Sequence, residues 1–328
     1  MSPILDVVAG WNLADGVIDS VDPFDAARHL PLMAEHRLTG VAHAAMLAGD
    51  LEVDDPELVR GAHRDAMARS LLLEDVLLAA AEVLDRAGVE HRVLKGAALA
   101  HRVGRPEQRE FGDNDLLVRP DQLPRAAAAL EAEGAVRAFP ALSATWETRF
   151  AKSITLRWRD TELDLHRTLA PGPYGLTIDG DALFASSATI ELAGVALPTL
   201  SDEHHLIHAA VHVALGDVTP RLGNVRDTAV LLASPQLDAD RVIATVVRWG
   251  IGAPFAEGIA AADAIGAETT GVVEWARRFR SGGRDRRLMA SYRQREGRFR
   301  RQALASLRVL GWRDRVAYVR SLRSSRAG

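Results

Sequence analysis

The spacing of apolar and polar positions in the first quarter of the chain is helical. Over residues 22–90 it predicts one helix from Pro23 and another from Pro56, because proline is favoured in the first turn of a helix. The second helix runs through L-L-L-E-D-V-L-L-A-A-A-E-V-L and ends near Gly88, with the polar interruptions of an amphipathic helix. We therefore predict a helical region over residues 1–87.

After this region, short apolar runs alternate with helical segments. The predicted strands are H-R-V-L-K-G (91–96), D-N-D-L-L-V-R (113–119), A-K-S-I-T-L-R-W-R (151–159) and E-L-D-L-H-R (162–167). The first two strands are each followed by a helix, and the last two flank a short turn, which predicts an antiparallel hairpin. We predict an α/β (α+β) fold whose small mixed sheet lies in a core over residues 88–200.

The remaining residues, 201–328, are predicted to be helical and end in an arginine-rich tail. Residues 271–328 contain 17 Arg against four Asp or Glu, a local charge of +13 in a chain whose net charge is −4. Apolar residues between 284 and 326 have helical spacing, interrupted by Gly311. Such a segment packs on its own acidic body, lies on an anionic membrane, or binds an anionic partner such as RNA, and the sequence leaves all three open.

Composition narrows the class of protein. The chain has no cysteine, which excludes disulfides and thiolate metal sites. No apolar run approaches the length of a membrane span, and the first residues lack the pattern of a signal peptide. We therefore expect a cytoplasmic protein.

Three aspartates carry the strongest chemical signal. Alternate side chains of a strand share a face, so Asp113 and Asp115 point the same way, as do Asp164 and His166. If the two strands are neighbours, three carboxylates converge, which is a donor set suited to Mg²⁺. Such a site can hold two ions about 3.5–4 Å apart, the arrangement used in phosphoryl transfer. By itself, D-x-D is also typical of a solvated strand end.

A glycine and a lysine precede this pair. Gly96 follows the first predicted strand and allows close approach of the backbone to a phosphate, next to a helix N-terminus that favours anions. Only two of the 40 basic residues are lysines, Lys95 and Lys152. Because lysine and arginine are not interchangeable at every site, both retained lysines are candidate functional residues.

Taken together, L-K-G-A-A-L-A, R-E-F-G-D-N-D-L-L-V and E-L-D-L-H resemble the uncharacterised nucleotidyltransferase family of the DNA-polymerase-β-type superfamily. The stretches 202–213 and 221–232 are similar to the helical region after that family's catalytic core, so the resemblance covers about residues 70–235. It implies that Asp113 and Asp115 are paired metal ligands, that Asp164 is the third carboxylate, and that Gly96 faces the nucleotide phosphates.

The resemblance also implies the reaction. An NTP bound with two Mg²⁺ ions would transfer its NMP to an acceptor hydroxyl and release pyrophosphate, with Asp164 orienting or deprotonating that hydroxyl. The superfamily usually has Gly-Ser or Gly-Gly where this chain has Gly96-Ala97, so a phosphate-binding hydroxyl is missing and Lys95 is expected to compensate. Lys152 and Arg109 are further candidate phosphate contacts.

Other polar residues belong to the predicted cleft. His166 is expected to contact substrate, metal-bound water or a metal ligand. His204, His208 and His212 recur every four residues along one helix face, and the i, i+4 spacing also occurs in zinc sites, but here without the glutamate of the zinc-protease motif. By the resemblance Asp227 is a candidate cleft residue, although it also fits a helix-surface charge.

Two functions remain open from the sequence. The first is a Mg²⁺-dependent nucleotidyltransferase whose acceptor is a small molecule, a saccharide, a peptide or RNA. The alternative is a non-catalytic protein that keeps the fold and engages RNA or a protein partner through the basic tail.

Overall fold

The computed structural model describes residues 3–14, 24–103, 105–140, 143–293 and 296–324. Its N-terminal region is helical, with α1 Pro3–Gly10, α2 Ala26–His36, α3 Thr39–Ala48 and α4 Pro56–Arg86. Helix α4 begins at the predicted proline, and the carboxylate of Asp55 caps it by accepting a hydrogen bond from the Leu58 backbone amide. Pro23, the predicted start of the other helix, lies outside the described residues.

The strands of the described residues form one mixed sheet in the order β3-β4-β5-β2-β1-β7-β6. They are β1 His91–Leu94, β2 Asn114–Val118, β3 Val136–Arg137, β4 Ser153–Trp158, β5 Thr161–His166, β6 Ala188–Leu192 and β7 Val195–Thr199. Strand β2 pairs antiparallel with β1 and parallel with β5, and β4 and β5 form the predicted hairpin. The mixed α/β prediction is confirmed, whereas β3 and the β6–β7 hairpin had not been predicted.

Helices connect the strands and form most of the C-terminal part. Those within the sheet region are α5 Lys95–Arg102, α6 Leu123–Ala132, α7 Ala144–Arg149, α8 Gly172–Gly175 and α9 Gly180–Ala185, with a short 3-10 helix at Pro106–Gln108. The C-terminal helices are α10 Asp202–Leu215, α11 Leu222–Leu232, α12 Ala239–Trp249, α13 Gly252–Ala264, α14 Gly271–Arg278, α15 Gly283–Ala290, α16 Arg298–Val309 and α17 Trp312–Ser324.

The two faces of β2 are covered by different parts of the chain. Leu116 and Val118 belong to an apolar cluster with α4 and α6, whereas Leu117 belongs to a second cluster that includes α10. Because side chains alternate along a strand, Asp115 lies on the same face as Leu117. The carboxylate therefore faces the space between the sheet and the C-terminal helices.

The arginine-rich tail packs on the body of the protein. The Tyr318 ring of α17 lies 5.1 Å from Trp146 and 5.0 Å from Phe150, measured between ring centroids. Arg298, the first residue of α16, donates hydrogen bonds to the carbonyl oxygens of Leu215 and Gly216 at the end of α10. Of the three arrangements left open by the sequence, docking on the body is the one observed. Residues 325–328, which end the tail, lie outside the described part.

No helix in the described ranges is both long enough and apolar enough to cross a lipid bilayer.

Candidate active site

Asp115 and Asp164 are direct neighbours across two parallel strands. The register of β2 and β5 pairs Asp115 with Asp164, because β5 runs in the same direction as β2 at the centre of the sheet. His166 follows two residues later on the same face of β5. One ligand atom each from Asp115, Asp164 and His166 lies within 4.8 Å of the others.

Short hydrogen bonds fix these side chains. His166 Nε2 is 2.5 Å from Asp115 Oδ1 and 3.7 Å from Asp164 Oδ2, so this ring nitrogen is directed at both carboxylates. Thr155, opposite Asp164 on β4, donates its hydroxyl to Asp164 Oδ1 at 2.5 Å. Asp115 and His166 are buried, whereas the Asp164 side chain keeps 21% of its surface exposed. Asp164 is therefore the carboxylate of this group that a second reactant can reach.

Both carboxylates are held in the ionised form. Burial by itself raises the pKa of Asp115, but the charges of Lys95 and His166 outweigh it and hold that pKa well below its usual range. Burial likewise raises the pKa of Asp164, and the hydrogen bonds from His166 and Thr155 reverse the direction. The centre of the sheet thus keeps two negative charges side by side at neutral pH.

Asp113 lies outside this three-residue group. It precedes β2, its side chain is 38% exposed, and its Oδ1 is 3.8 Å from Arg37 Nη2. Asp113 nevertheless lines the same cavity as Asp115. The structure therefore brings Asp115 together with Asp164 and His166, and places Asp113 at a greater distance on the cavity wall.

The turn after β1 brings a positive charge to the carboxylates. Lys95 Nζ is 3.0 Å from Asp115 Oδ2. Lys95 and Gly96 have consecutive positive φ angles of 39° and 32°. A Cβ at Gly96 would lie 3.4 Å from the Phe111 ring and 3.6 Å from the Asp113 carbonyl oxygen, which are ordinary contacts, so it is the positive φ that favours glycine there.

Arg109 and Asp227 form an ion pair that holds this turn. Arg109 donates from Nε and Nη2 to the two Asp227 oxygens at 2.9 and 2.7 Å, and from Nη1 to the Gly96 carbonyl at 2.9 Å. Bidentate pairing of this kind fixes the orientation of the guanidinium. Arg109, a candidate phosphate contact in the sequence, here connects α11 to the Gly96 turn, and Asp227 is its partner on that helix.

A cavity of about 140 Å³, which we call the carboxylate cavity, opens in front of Asp115. Its lining consists of Arg37, Lys95, Gly96, Arg109, Phe111, Asp113, Asp115, His212, Asp217, Arg221 and Asn224. Arg37, Arg221 and Asn224 were not among the site residues predicted from the sequence. Gly223 could have indicated them, because a Cβ there would lie 2.9 Å from the Arg37 carbonyl oxygen and would separate α11 from α2.

Histidines of α10 form the roof over this part of the sheet. The His208 ring is 6.5 Å from that of His166 and 6.3 Å from that of His212, and neither His208 nitrogen has a hydrogen-bond partner among the described residues. Burial and the nearby charge of Lys95 lower the pKa of both His208 and His212 well below the usual value. His204 instead stacks on Trp249, at 5.4 Å, away from the carboxylates.

A second cavity, of about 310 Å³, lies beyond His212, and we call it the tail cavity because α16 forms one of its walls. It is lined by Lys152, Leu169, Ala170, Pro171, Val211, His212, Leu215, Gly216, Asp217, Arg298 and Gln302. His212 and Asp217 line both cavities. Lys152, which the sequence offered as a phosphate contact, therefore lies in the wall of the tail cavity. Burial and Lys95 lower the pKa of Lys152.

A third cavity, of about 680 Å³, adjoins the carboxylate cavity on the opposite side. The two share Arg37, Arg109 and Asn224. Because Arg109 binds the Gly96 carbonyl, this cavity adjoins the end of the site that carries the glycine turn. The tail cavity adjoins the end that carries β5.

The donor set fits a divalent cation. Carboxylate oxygens are the preferred protein ligands of Mg²⁺, and Asp115 and Asp164 present two carboxylates that are ionised and close together. Carboxylates this close need a positive charge beside them; Lys95 supplies one, and a bound cation would supply another.

Comparison with protein families gives the class of protein to which this fold belongs. The model of the family described as uncharacterised nucleotidyltransferase matches residues 22–266. The chain belongs to this family. The resemblance seen in the sequence over residues 70–235 is thereby confirmed, and the match extends into the N-terminal helices.

Two solved structures are similar to the chain at low identity. The solution structure of the antibiotic-resistance factor ANT(2'')-Ia is 16% identical, with a TM-score of 0.40, and the match covers 58% of this chain and 95% of that one. An antigenic nucleotidyltransferase-like protein from Paracoccidioides brasiliensis is 15% identical, with a TM-score of 0.35, over 62% of this chain and 96% of that one. No curated protein matches the sequence.

Proposed function

We propose that this protein transfers a nucleoside monophosphate from an NTP to an acceptor hydroxyl, with Mg²⁺ as cofactor and pyrophosphate as the leaving group. The observation that carries the proposal is the pairing of Asp115 with Asp164 across β2 and β5, beside the Lys95–Gly96 turn. Membership of a nucleotidyltransferase family supports it.

Asp115 and Asp164 would hold the metal, and Asp113, on the wall of the same cavity as Asp115, is the carboxylate available for a second ion. When bound, Mg²⁺ supplies charge neutralisation at the phosphate oxygens. The chain's own cations around the carboxylate cavity, Lys95, Arg37 and Arg221, add to that neutralisation. The Gly96 turn lets the backbone approach the phosphates without a side chain in the way.

Asp164 is assigned to the acceptor. Its side chain is the more exposed of the two paired carboxylates, and its lowered pKa keeps it ionised, so it can accept a hydrogen bond from the attacking hydroxyl. The hydroxyl oxygen forms a bond to the α-phosphorus while the bond from that phosphorus to the bridging oxygen breaks. Pyrophosphate leaves, and the hydroxyl proton passes to Asp164 and then to water.

The test is incubation of the purified protein with Mg²⁺, each labelled NTP and a cell extract as the source of acceptor, with pyrophosphate and labelled product measured. We expect both products with at least one NTP, and neither from the double variant Asp113→Ala, Asp115→Ala. The matched control is Asp160→Asn, which removes an exposed carboxylate from the β4–β5 turn. Full activity in the double variant would exclude the mechanism.

The same experiment addresses the alternative of a non-catalytic binding protein, which predicts NTP binding without release of pyrophosphate. Release of pyrophosphate by the wild-type protein, lost in the double variant, would exclude this alternative.

A further inference from the structure

The proposed function leaves the tail cavity without a role. This cavity lies near the end of β5, and it meets the carboxylate cavity at His212 and Asp217. Its polar lining combines Lys152 with Arg298 and Gln302, two residues of the arginine-rich tail. The tail therefore contributes to the site as well as packing on the body.

Lys152 gives the cavity a positive charge that has no carboxylate in direct contact among the described residues. No carboxylate of the described residues lies within 4 Å of its ammonium group, whereas Lys95 is paired with Asp115 at 3.0 Å. Asp217, the acidic residue of the cavity lining, is 4.0 Å from Arg221. A half-buried ammonium without a partner is stabilised when an anion enters the cavity.

Gln302 adds a donor that has no acceptor. Its Nε2 is buried and has no hydrogen-bond partner within the described part of the chain. Buried amide groups are nearly always paired, so a donor left over in a cavity wall indicates a group supplied by a ligand. Lys152 and Gln302 come from different parts of the fold and face the same space.

The wall that carries Gln302 is held firmly. Arg298, one helical turn before Gln302, binds the last carbonyls of α10. The hydroxyl of Tyr292 donates to the Pro171 carbonyl at 2.6 Å, which fixes the loop that contributes Pro171 to the cavity lining. Donors on fixed elements lose little entropy when a ligand binds.

We propose that the tail cavity binds the acceptor, and that the acceptor is a small hydroxylated molecule carrying a phosphate or carboxylate group that pairs with Lys152 and Gln302. The proposal rests on the proposed function, which requires an acceptor whose hydroxyl reaches Asp164. The 680 Å³ cavity is less suitable, since it adjoins the glycine turn at the other end of the site. A volume of about 310 Å³ is small for a ligand pocket, which favours a molecule of monosaccharide size over a polymer.

The experiment measures binding of four probes of similar size by saturation-transfer NMR, with the full-length protein, Mg²⁺ and a non-hydrolysable NTP analogue present. The probes are glucose 6-phosphate, gluconate, glucose and glucosamine, so that phosphate, carboxylate, neutral and cationic forms are compared. We expect at least one anionic probe to bind about tenfold more tightly than glucose and glucosamine. Whichever anion binds more tightly identifies the group that the cavity accepts.

Two variants locate the binding. Lys152→Met should abolish the preference for anions. Gln302→Leu, which keeps the size of the side chain, should weaken the binding of the anionic probe about threefold to tenfold. Arg300→Met and Leu304→Ala alter exposed positions of the same helix and should change nothing, which separates the cavity from general attraction to the basic tail. Equal binding of all four probes, or an anion preference that survives Lys152→Met, overturns the proposal.

The NTP analogue gives an independent measurement. If the wild-type protein binds the analogue with Mg²⁺ but shows no anion preference, the acceptor proposal fails and the proposed function stands. If the analogue does not bind, the proposed function fails, and the acceptor proposal fails with it.

Discussion

The site has a floor on the sheet, formed by Lys95, Asp115, Asp164 and His166, and a roof formed by the histidines of α10. Both are rich in titratable side chains, but the floor carries charges and the roof histidines are neutral. On the floor, Asp115 and Asp164 remain ionised, because Lys95 and His166 lie within hydrogen-bonding or ion-pairing distance. On the roof, burial lowers the pKa of His205 and His208, which keeps these two rings neutral at physiological pH.

The difference shows what decides whether a buried group keeps its charge. Burial disfavours the charged form on both sides, so it does not distinguish them. The floor supplies opposite charges at short range, whereas His208 has no partner on either nitrogen within the described residues. Positive charge at the site therefore comes from the lysines and arginines rather than from the histidine face that is so prominent in the sequence.

The largest effect is expected on the floor. Asp115→Asn keeps the size of the side chain but removes the charge that a cation and Lys95 both require, so pyrophosphate release should fall about 10³-fold, a loss of about 4 kcal/mol of transition-state stabilisation. The assay is Mg²⁺-dependent pyrophosphate release with saturating NTP.

The corresponding change on the roof is His208→Leu, which replaces an unpaired imidazole with an apolar group. Activity should fall less than about tenfold, because replacing an unpaired buried polar group with an apolar one is nearly neutral. Losses of equal size in the two variants would contradict the distinction between a charged floor and a neutral roof.

A smaller and more specific effect is expected from the floor lysine. The Lys95 ammonium occupies one oxygen of Asp115 at 3.0 Å, so a divalent cation must share that carboxylate with it. Lys95→Met should therefore tighten the binding of Mn²⁺, used as a spectroscopic substitute for Mg²⁺, about tenfold. It should also raise the KM for NTP about tenfold or more, because the phosphates lose a positive charge.

Lys152→Met serves as the comparison in the Mn²⁺ titration, measured by electron paramagnetic resonance. Its effect on metal affinity should be smaller, since its ammonium is within 4 Å of no carboxylate in the described ranges. Weaker Mn²⁺ binding in Lys95→Met than in the wild type would show that Lys95 supports the metal site rather than competing with the metal.

The sequence predicted the floor better than its surroundings. Strands β1, β2, β4 and β5 follow from apolar runs and turn residues, which are local signals. To predict that Asp115 lies beside Asp164, it was enough to assume that β2 and β5 are neighbours in the sheet. Asp113 was expected in the same cluster by alternation, but it precedes the first paired residue of β2 and is not held by the ladder.

What the sequence did not predict depends on contacts between distant parts of the chain. Arg37 ends α2 and reaches the cavity because Gly223, far along the chain, lets α11 approach it. From the sequence Arg109 was a candidate phosphate contact, because its ion pair with Asp227 joins residues that are far apart in the chain. Gln302 belongs to a tail whose composition signals only positive charge, and its place in the cavity wall follows from the docking of α16.

The smallest effect is expected on the roof, and it concerns stability rather than activity. Buried His205 has a folded-state pKa lowered to about 3, against an ordinary value of 6.5. Its Nε2 is 2.9 Å from the Thr199 hydroxyl, which already donates its proton to the Val93 carbonyl, so His205 must be the donor in this contact. The structure thus keeps a neutral ring that the unfolded chain would protonate in mild acid.

The sign of the pH dependence follows from that difference. Below pH 6.5 the unfolded state binds a proton at His205 that the folded state does not. As the pH is lowered, this residue should therefore reduce the free energy of unfolding by up to about 1.4 kcal/mol per pH unit. His205→Gln keeps a donor for Thr199 and should reduce the slope by that amount between pH 6.5 and 5, measured by urea unfolding at each pH. Asp115 and Asp164 do not obscure the effect in this pH interval. Because their pKa values are lowered in the folded state, their contribution to the free energy of unfolding is lost only at more acidic pH, from the ordinary carboxyl pKa downwards. An unchanged slope in His205→Gln would mean that the roof accepts protons as readily as the unfolded chain, and the contrast with the floor would then fail.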